Sequence, residues 1–220
     1  MFSPGRRFAK EHMLESNCFK NFARLGQGLR GIPVCVMMNP CDRHTGDFGD
    51  MFTKNAALLW LKSFFGGVGL SLEHDVPILD IFSLLSTDWL RQGHGGQSAE
   101  HLIFRSCEIT QDILEALNPP SIVVMQCVTN PHQGQRNSIF GRVQHPLAQA
   151  LFSSMGRARE GKVHTCVLGR REIPVVAAFH PSKIHYEQNL EKKRHHYQLL
   201  QEILLKTFSP YVQDLHECSD

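Results

Sequence analysis

Five short runs of aliphatic and β-branched residues are spaced along the chain with helical patterns between them, and this alternation restricts the fold more than any other feature. The runs are IPVCVMM (32–38), VPILDIF (76–82), SIVVMQCV (121–128), VHTCVLG (163–169) and IPVVAAF (173–179). The first three and the last are almost continuously apolar, as strands covered on both faces are. MFTKNAALLWLKSFF follows the first run, and AEHLIFRSCEITQDILEAL precedes the third and stops at Asn118-Pro119-Pro120. Near the end, Leu190, Tyr197, Leu200, Leu204 and Phe208 mark one helical stripe, with Lys192, Lys193, Arg194 and His195 off it. Strands alternating with helices predict an α/β fold with a mainly parallel sheet flanked by helices. The dipeptide turn within GRREIP would pair 163–169 with 173–179 as a hairpin.

A chain of 220 residues that is 42% hydrophobic can bury one good core. One domain is expected over 1–220, with a core at about 30–205, a helical N-terminal extension and a short C-terminal tail. The balance of 23 Lys+Arg against 21 Asp+Glu leaves a net charge of +2, so an anionic partner must be met by a local basic patch. Seven cysteines without a C-x-x-C pair argue against a disulfide framework and for a reducing compartment. Cys41 and His44 have ligand-like spacing but no second clustered pair, and no metal or other cofactor is expected. The N-terminus has no signal-like apolar core and no run reaches membrane-spanning length. The expectation is an intracellular monomer, cytoplasmic or in the nucleoid or nucleus, with no membrane partner.

In sheets of this kind ligands bind beyond the carboxyl ends of the strands. Asn39, Asp80, Asn130 and His180 fall there. Two long loops, STDWLRQGHGGQS and TNPHQGQRNSIFGRVQHP, are rich in Gly, polar groups and Arg, and loops of that length are usually functional. Taken singly, Asn39-Pro40 is an ordinary turn initiator and His180-Pro181-Ser182 an ordinary strand exit. Their joint placement points further.

Met37-Met38-Asn39-Pro40-Cys41 after the first strand and His180-Pro181-Ser182 after the last resemble the two motifs of the uracil-DNA glycosylase superfamily, G-x-N-P-G or G-Q-D-P-Y-H and H-P-S. The look is closest to its single-strand-selective branch, whose first motif is followed by T-G-x-P-F-G and a helix with W-L; here stand Thr45-Gly46-Asp47-Phe48-Gly49 and Trp60-Leu61. The resemblance implies a three-layer α/β/α sandwich around a mainly parallel four-stranded sheet. It implies an enzyme that flips a base out of DNA and hydrolyses its N-glycosidic bond, leaving an abasic site. Asn39 would orient the attacking water and His180 would donate to the 2-oxo group of the departing base, a preplaced electrostatic stabiliser. Phe48 would stack on the flipped base, with core packing as the alternative, and Met38 would line the base site. Ser182 would meet phosphate, and Lys183, Ile184, His185 or Tyr186 would enter the minor groove.

Two departures bear on substrate. Where the superfamily usually has a base-reading Asn, the run Pro77-Ile78-Leu79 ends in Asp80. Ionised, it can only accept, which disfavours uracil and favours the 4-amino group of cytosine; protonation of ring nitrogen 3 would allow two charge-assisted hydrogen bonds. Alternatively Asp80 is a cap and Asn130 or Gln126 reads the base. Cys41 stands where strict uracil enzymes carry a bulky Tyr, which leaves room for a 5-substituent. Together these favour a 5-modified cytosine, as in phage DNA, and an antiviral role. Met37 replaces the first Gly of the motif and Lys183 the Pro that often follows H-P-S. The other readings are a uracil or deaminated-base repair glycosylase, and a non-catalytic nucleic-acid-binding module of the same fold.

Overall fold

A computed structural model describes residues 1–38, 40, 46–86, 89, 99–125, 144–151 and 153–217. Two helices open the chain, α1 (Ser3–Glu11) and α2 (Ser16–Leu25), followed by β1 (Val34–Met37), α3 (Phe48–Lys54), α4 (Ala56–Gly67) and β2 (Ile78–Asp80). Then come α5 (Ala99–Leu117), β3 (Ile122–Val124), α6 (Pro146–Ala150), α7 (Met155–Arg159), β4 (Val163–Leu168), β5 (Arg171–Ala177), α8 (Pro181–His185) and α9 (Leu190–Glu217). The strands form one sheet in the order β2-β1-β3-β5-β4. All neighbours are parallel except β4, which runs antiparallel to β5. Among the described residues the sheet therefore has five strands where four were expected. The additional one is the hairpin partner: Leu168 faces Arg171 across a turn in which Gly169 takes φ +60°, a conformation that L side chains resist.

Period-two alternation sends the side chains of β1 to opposite layers. Val34 and Val36 pack with Leu79, Ile122, Val124 and the inner face of α5, whereas Cys35 and Met37 pack with Ile78, Val123 and residues of α3, α4 and α9. Both faces of the parallel strands are thus covered, as their continuous apolarity predicts. The hairpin is less covered. Cys166 and Leu168 are buried, but Val163 and Val167 on the other face of β4 are exposed.

Local signals set the helix ends. Asn55 Oδ1 accepts from the Ala57 and Leu58 amides and starts α4, an N-cap. Asn118 takes φ +53° and its amide returns to the Leu114 carbonyl, after which Pro119 and Pro120 prevent continuation of α5. The predicted stripe on α9 buries Leu200, Leu204 and Phe208, but Leu190 departs from it and is 69% exposed. No helix among the described residues is long and apolar enough to cross a membrane.

Candidate active site

The parallel strands stay in register to their carboxyl ends. Met37 faces Asp80, Val36 faces Val124, and Val124 faces Ala177. Hydrogen bonds continue one step further: Ile81 and Phe82 amides donate to the Met37 and Met38 carbonyls, Met125 to Val36, and Ala178 to Val124. Asp80 therefore ends one outer parallel strand, and His180 follows the other by three residues. Three strand spacings of roughly 4.8 Å separate these strands, about 14 Å in all.

Asp80 is 9% exposed, and burial alone pushes its carboxyl up from 3.8 to about 7. No donor among the described residues bonds to the carboxylate. A small cavity beside it, with room for about one water, is lined by Cys18, Phe22 and Leu25 of α2 together with Pro40, Ile78 and Leu84. The Cys18 thiol donates to the Leu84 carbonyl at 3.6 Å, and burial, with Asp80 and Glu15 after it, raises it to about 12. A thiol so placed is a filler and weak donor, not a nucleophile.

His180 caps α8. Its Nδ1 accepts the Ser182 amide at 3.2 Å, so the neutral ring carries its proton on Nε2. Burial, and after it the charge of Lys183, lowers the imidazole to about 4. The ring is consequently a neutral hydrogen-bond donor at any physiological pH, although part of its surface still meets solvent.

The other expected site residues separate. Phe48, the first residue of α3, is buried beside Met37 and Ile78; the Arg24 guanidinium lies 3.7 Å from its ring centroid and Phe52 meets it edge-on at 5.1 Å. Met38 packs against the α5 layer, on the sheet face opposite that of Phe48. Ile184, expected to enter DNA, is 1% exposed and belongs to the core with Phe65 and Phe179. One turn of helix after His180 directs it inward, while Lys183 and His185 face solvent and Tyr186 is 62% exposed. Asn39, Cys41 and Asn130 lie outside the described residues, as do His44 and Gln126.

A group that reading for motifs misses holds Asp80 in place. Thr110 Oγ1, from the buried side of α5, donates to the Asp80 carbonyl at 2.7 Å; Ser83 Oγ lies 3.0 Å from the same carbonyl and 2.7 Å from Thr110 Oγ1. Ser106 Oγ donates to the Ser83 carbonyl, and Leu84 completes the turn at φ +68°, strained for a non-glycine residue. All three hydroxyl residues are fully buried. The available signal is Ser106 and Thr110, four apart within the apolar stripe of α5.

Among the described residues no group of three or more His, Cys, Asp or Glu side chains is placed to hold a metal ion. Compared with known proteins, the chain matches no family model and no curated protein.

Proposed function

We propose that this chain is a DNA glycosylase of the uracil-DNA glycosylase type, a three-layer α/β/α domain that flips a 5-modified cytosine from DNA and hydrolyses its N-glycosidic bond. The observation that carries the reading is the pair at the sheet's carboxyl edge: a buried carboxyl with affinity for a proton on β2, and a neutral imidazole with its proton on Nε2 after β5. Nε2–H of His180 donates to the 2-oxo group. Asp80 engages the opposite edge of the base, accepting from the 4-amino group and sharing one proton with ring nitrogen 3. Asn39 orients a water whose oxygen bonds to the sugar C1′ as the C1′–N1 bond breaks. The bond pair goes to the base, spread onto the oxygen that His180 holds, and the water's proton ends on the base. An acid near neutrality supplies what an amide cannot, since only the acid delivers a proton to nitrogen 3 and improves the leaving group. Cys41 leaves room for the 5-substituent, and a substrate of that kind fits defence against phage DNA.

One observation favours a second reading. A protonated Asp80 presents one donor and one acceptor, and so can also pair with the 4-oxo group and N3–H of uracil, in the manner of an amide. Uracil repair is therefore retained as the alternative, and a binding module without chemistry as a more distant one. Abasic-site formation on matched oligonucleotides carrying uracil, cytosine, 5-hydroxymethylcytosine or its glucosylated form separates them. Cleavage limited to a modified cytosine and lost in Asn39→Ala and His180→Ala is expected; absence of cleavage on every substrate shifts the reading to a base outside this set or to the binding module.

A further inference from the structure

The cations around α8 and the start of α9 run against the ordinary preferences of a helix. Lys192, Lys193 and Arg194 occupy the first turn and a half of α9, where aligned peptide dipoles already present positive potential and acidic side chains are favoured. Glu191 is the acidic residue there. Arg159 lies along α9, lining a groove with Leu199 and Ile203. Arg159 at the end of α7, His195 and Lys192 all act with burial to hold the His196 imidazole below the usual histidine range, with Glu187 opposing them. Lys183 acts on His180 in the same sense. His196 stacks on Phe179, the residue before His180, with ring centroids 4.2 Å apart. Positive groups from three helices thus lie near the exit of β5 and outnumber Glu187 and Glu191 among them, a balance that attracts an anion. Departures from local preference of this kind concentrate at functional surfaces.

Tyr186 and Leu190 supply an independent observation. They bracket the short connection between α8 and α9, are 62% and 69% exposed, and stand among these cations. Exposed aromatic and apolar side chains set among basic ones suit contact with nucleotides, whose phosphates and base faces demand both. The two helices act as one surface, because Lys193 Nζ donates to the His185 carbonyl at 2.7 Å.

We propose that Arg159, Lys192 and His195 form a DNA-phosphate contact surface that continues the strand path beyond α8. It rests on the glycosylase reading for its partner and adds to the contacts expected of Ser182 and Lys183. The test is equilibrium binding of the full chain to a fluorescent duplex of unmodified sequence over a range of salt. The paired substitution Arg159→Gln with Lys192→Gln changes two exposed side chains and is expected to reduce the slope of log affinity against log salt by about 1.8, roughly 0.9 for each phosphate no longer neutralised. Lys10→Gln, on α1 in the layer on the other face of the sheet, is expected to leave the slope unchanged. Wild type binding DNA with a slope identical to that of the paired variant overturns the proposal alone. Failure of wild type to bind DNA at any salt removes the glycosylase reading and this surface with it.

Discussion

Asp80 weakens the fold that contains it. Its carboxyl is raised from 3.8 to about 7 by burial, so the folded chain holds a proton that the unfolded chain releases. Stability therefore falls as pH rises through that window, and the full cost is present above about pH 7. Asp80→Asn removes the charge while keeping the shape. We expect the variant to be more stable than wild type above neutrality by roughly 2–4 kcal/mol, shrinking towards zero near pH 3.8. For a chain of this size that is a rise of roughly 5–15 °C in melting temperature, and equal melting at all pH would refute the assignment. A residue that lowers stability where it stands is of the kind kept for function. The hydroxyls behind it make a separate prediction. Thr110→Val deletes the shorter of two hydroxyl contacts to the Asp80 carbonyl without a cavity. If Thr110 positions the acid, the ratio of cleavage rates on modified cytosine and uracil changes several-fold; a lower melting temperature with the ratio intact assigns it to folding alone. Asp80 and His180 are legible in the sequence, since polar residues at the ends of apolar strands are visible as a change of pattern. Ser83, Ser106 and Thr110 are not, because their importance lies in a carbonyl that only the folded turn brings to them.

The elements are legible where period and punctuation agree. α5 and its stop at Asn118 follow from the spacing of Leu102, Ile103, Ile113, Leu114 and Leu117 and from the two prolines. The hairpin follows from Gly169. The direction of side chains in the one-turn helix α8 does not follow: Ile184 sits in a polar stretch that reads as exposed, but the turn after Pro181 rotates it into the core. The N-terminal connection to β1 contains a constraint of its own. A Cβ on Gly28 would lie 2.4 Å from the Pro77 nitrogen and 2.6 Å from the Asp75 carbonyl oxygen, both backbone atoms that cannot turn aside. The neighbouring Leu29 amide donates to that same carbonyl at 2.8 Å, which explains the close approach. Gly28→Ala should cost about 1–3 kcal/mol or more by separating these segments ahead of β1 and β2. Denaturant melts measure it, and an unchanged midpoint would show that the approach is not required.

At the level of the molecule, the chain brings two outer parallel strands of one sheet to a common edge and leaves a protonatable acid on one and a fixed donor on the other. In the proposed mechanism the acid's proton matters most, because it would decide both which base is read and how that base leaves. The alternation of strands and helices makes the sheet legible, and the strand ends make its functional edge legible. The protonation state of Asp80, on which the proposed choice between cytosine and uracil turns, is not legible, since burial from α2 and β2 together sets it. The decisive experiment is the single-turnover rate of abasic-site formation on 5-hydroxymethylcytosine and uracil oligonucleotides, for wild type and Asp80→Asn, at pH values on both sides of 7. Wild type is expected to cleave the modified cytosine at a rate that falls as pH rises above about 7, where Asp80 loses its proton, and Asp80→Asn is expected to be inactive on it. Cleavage of uracil that Asp80→Asn retains or improves, with no fall above neutrality, would show that Asp80 does not read the base in this way.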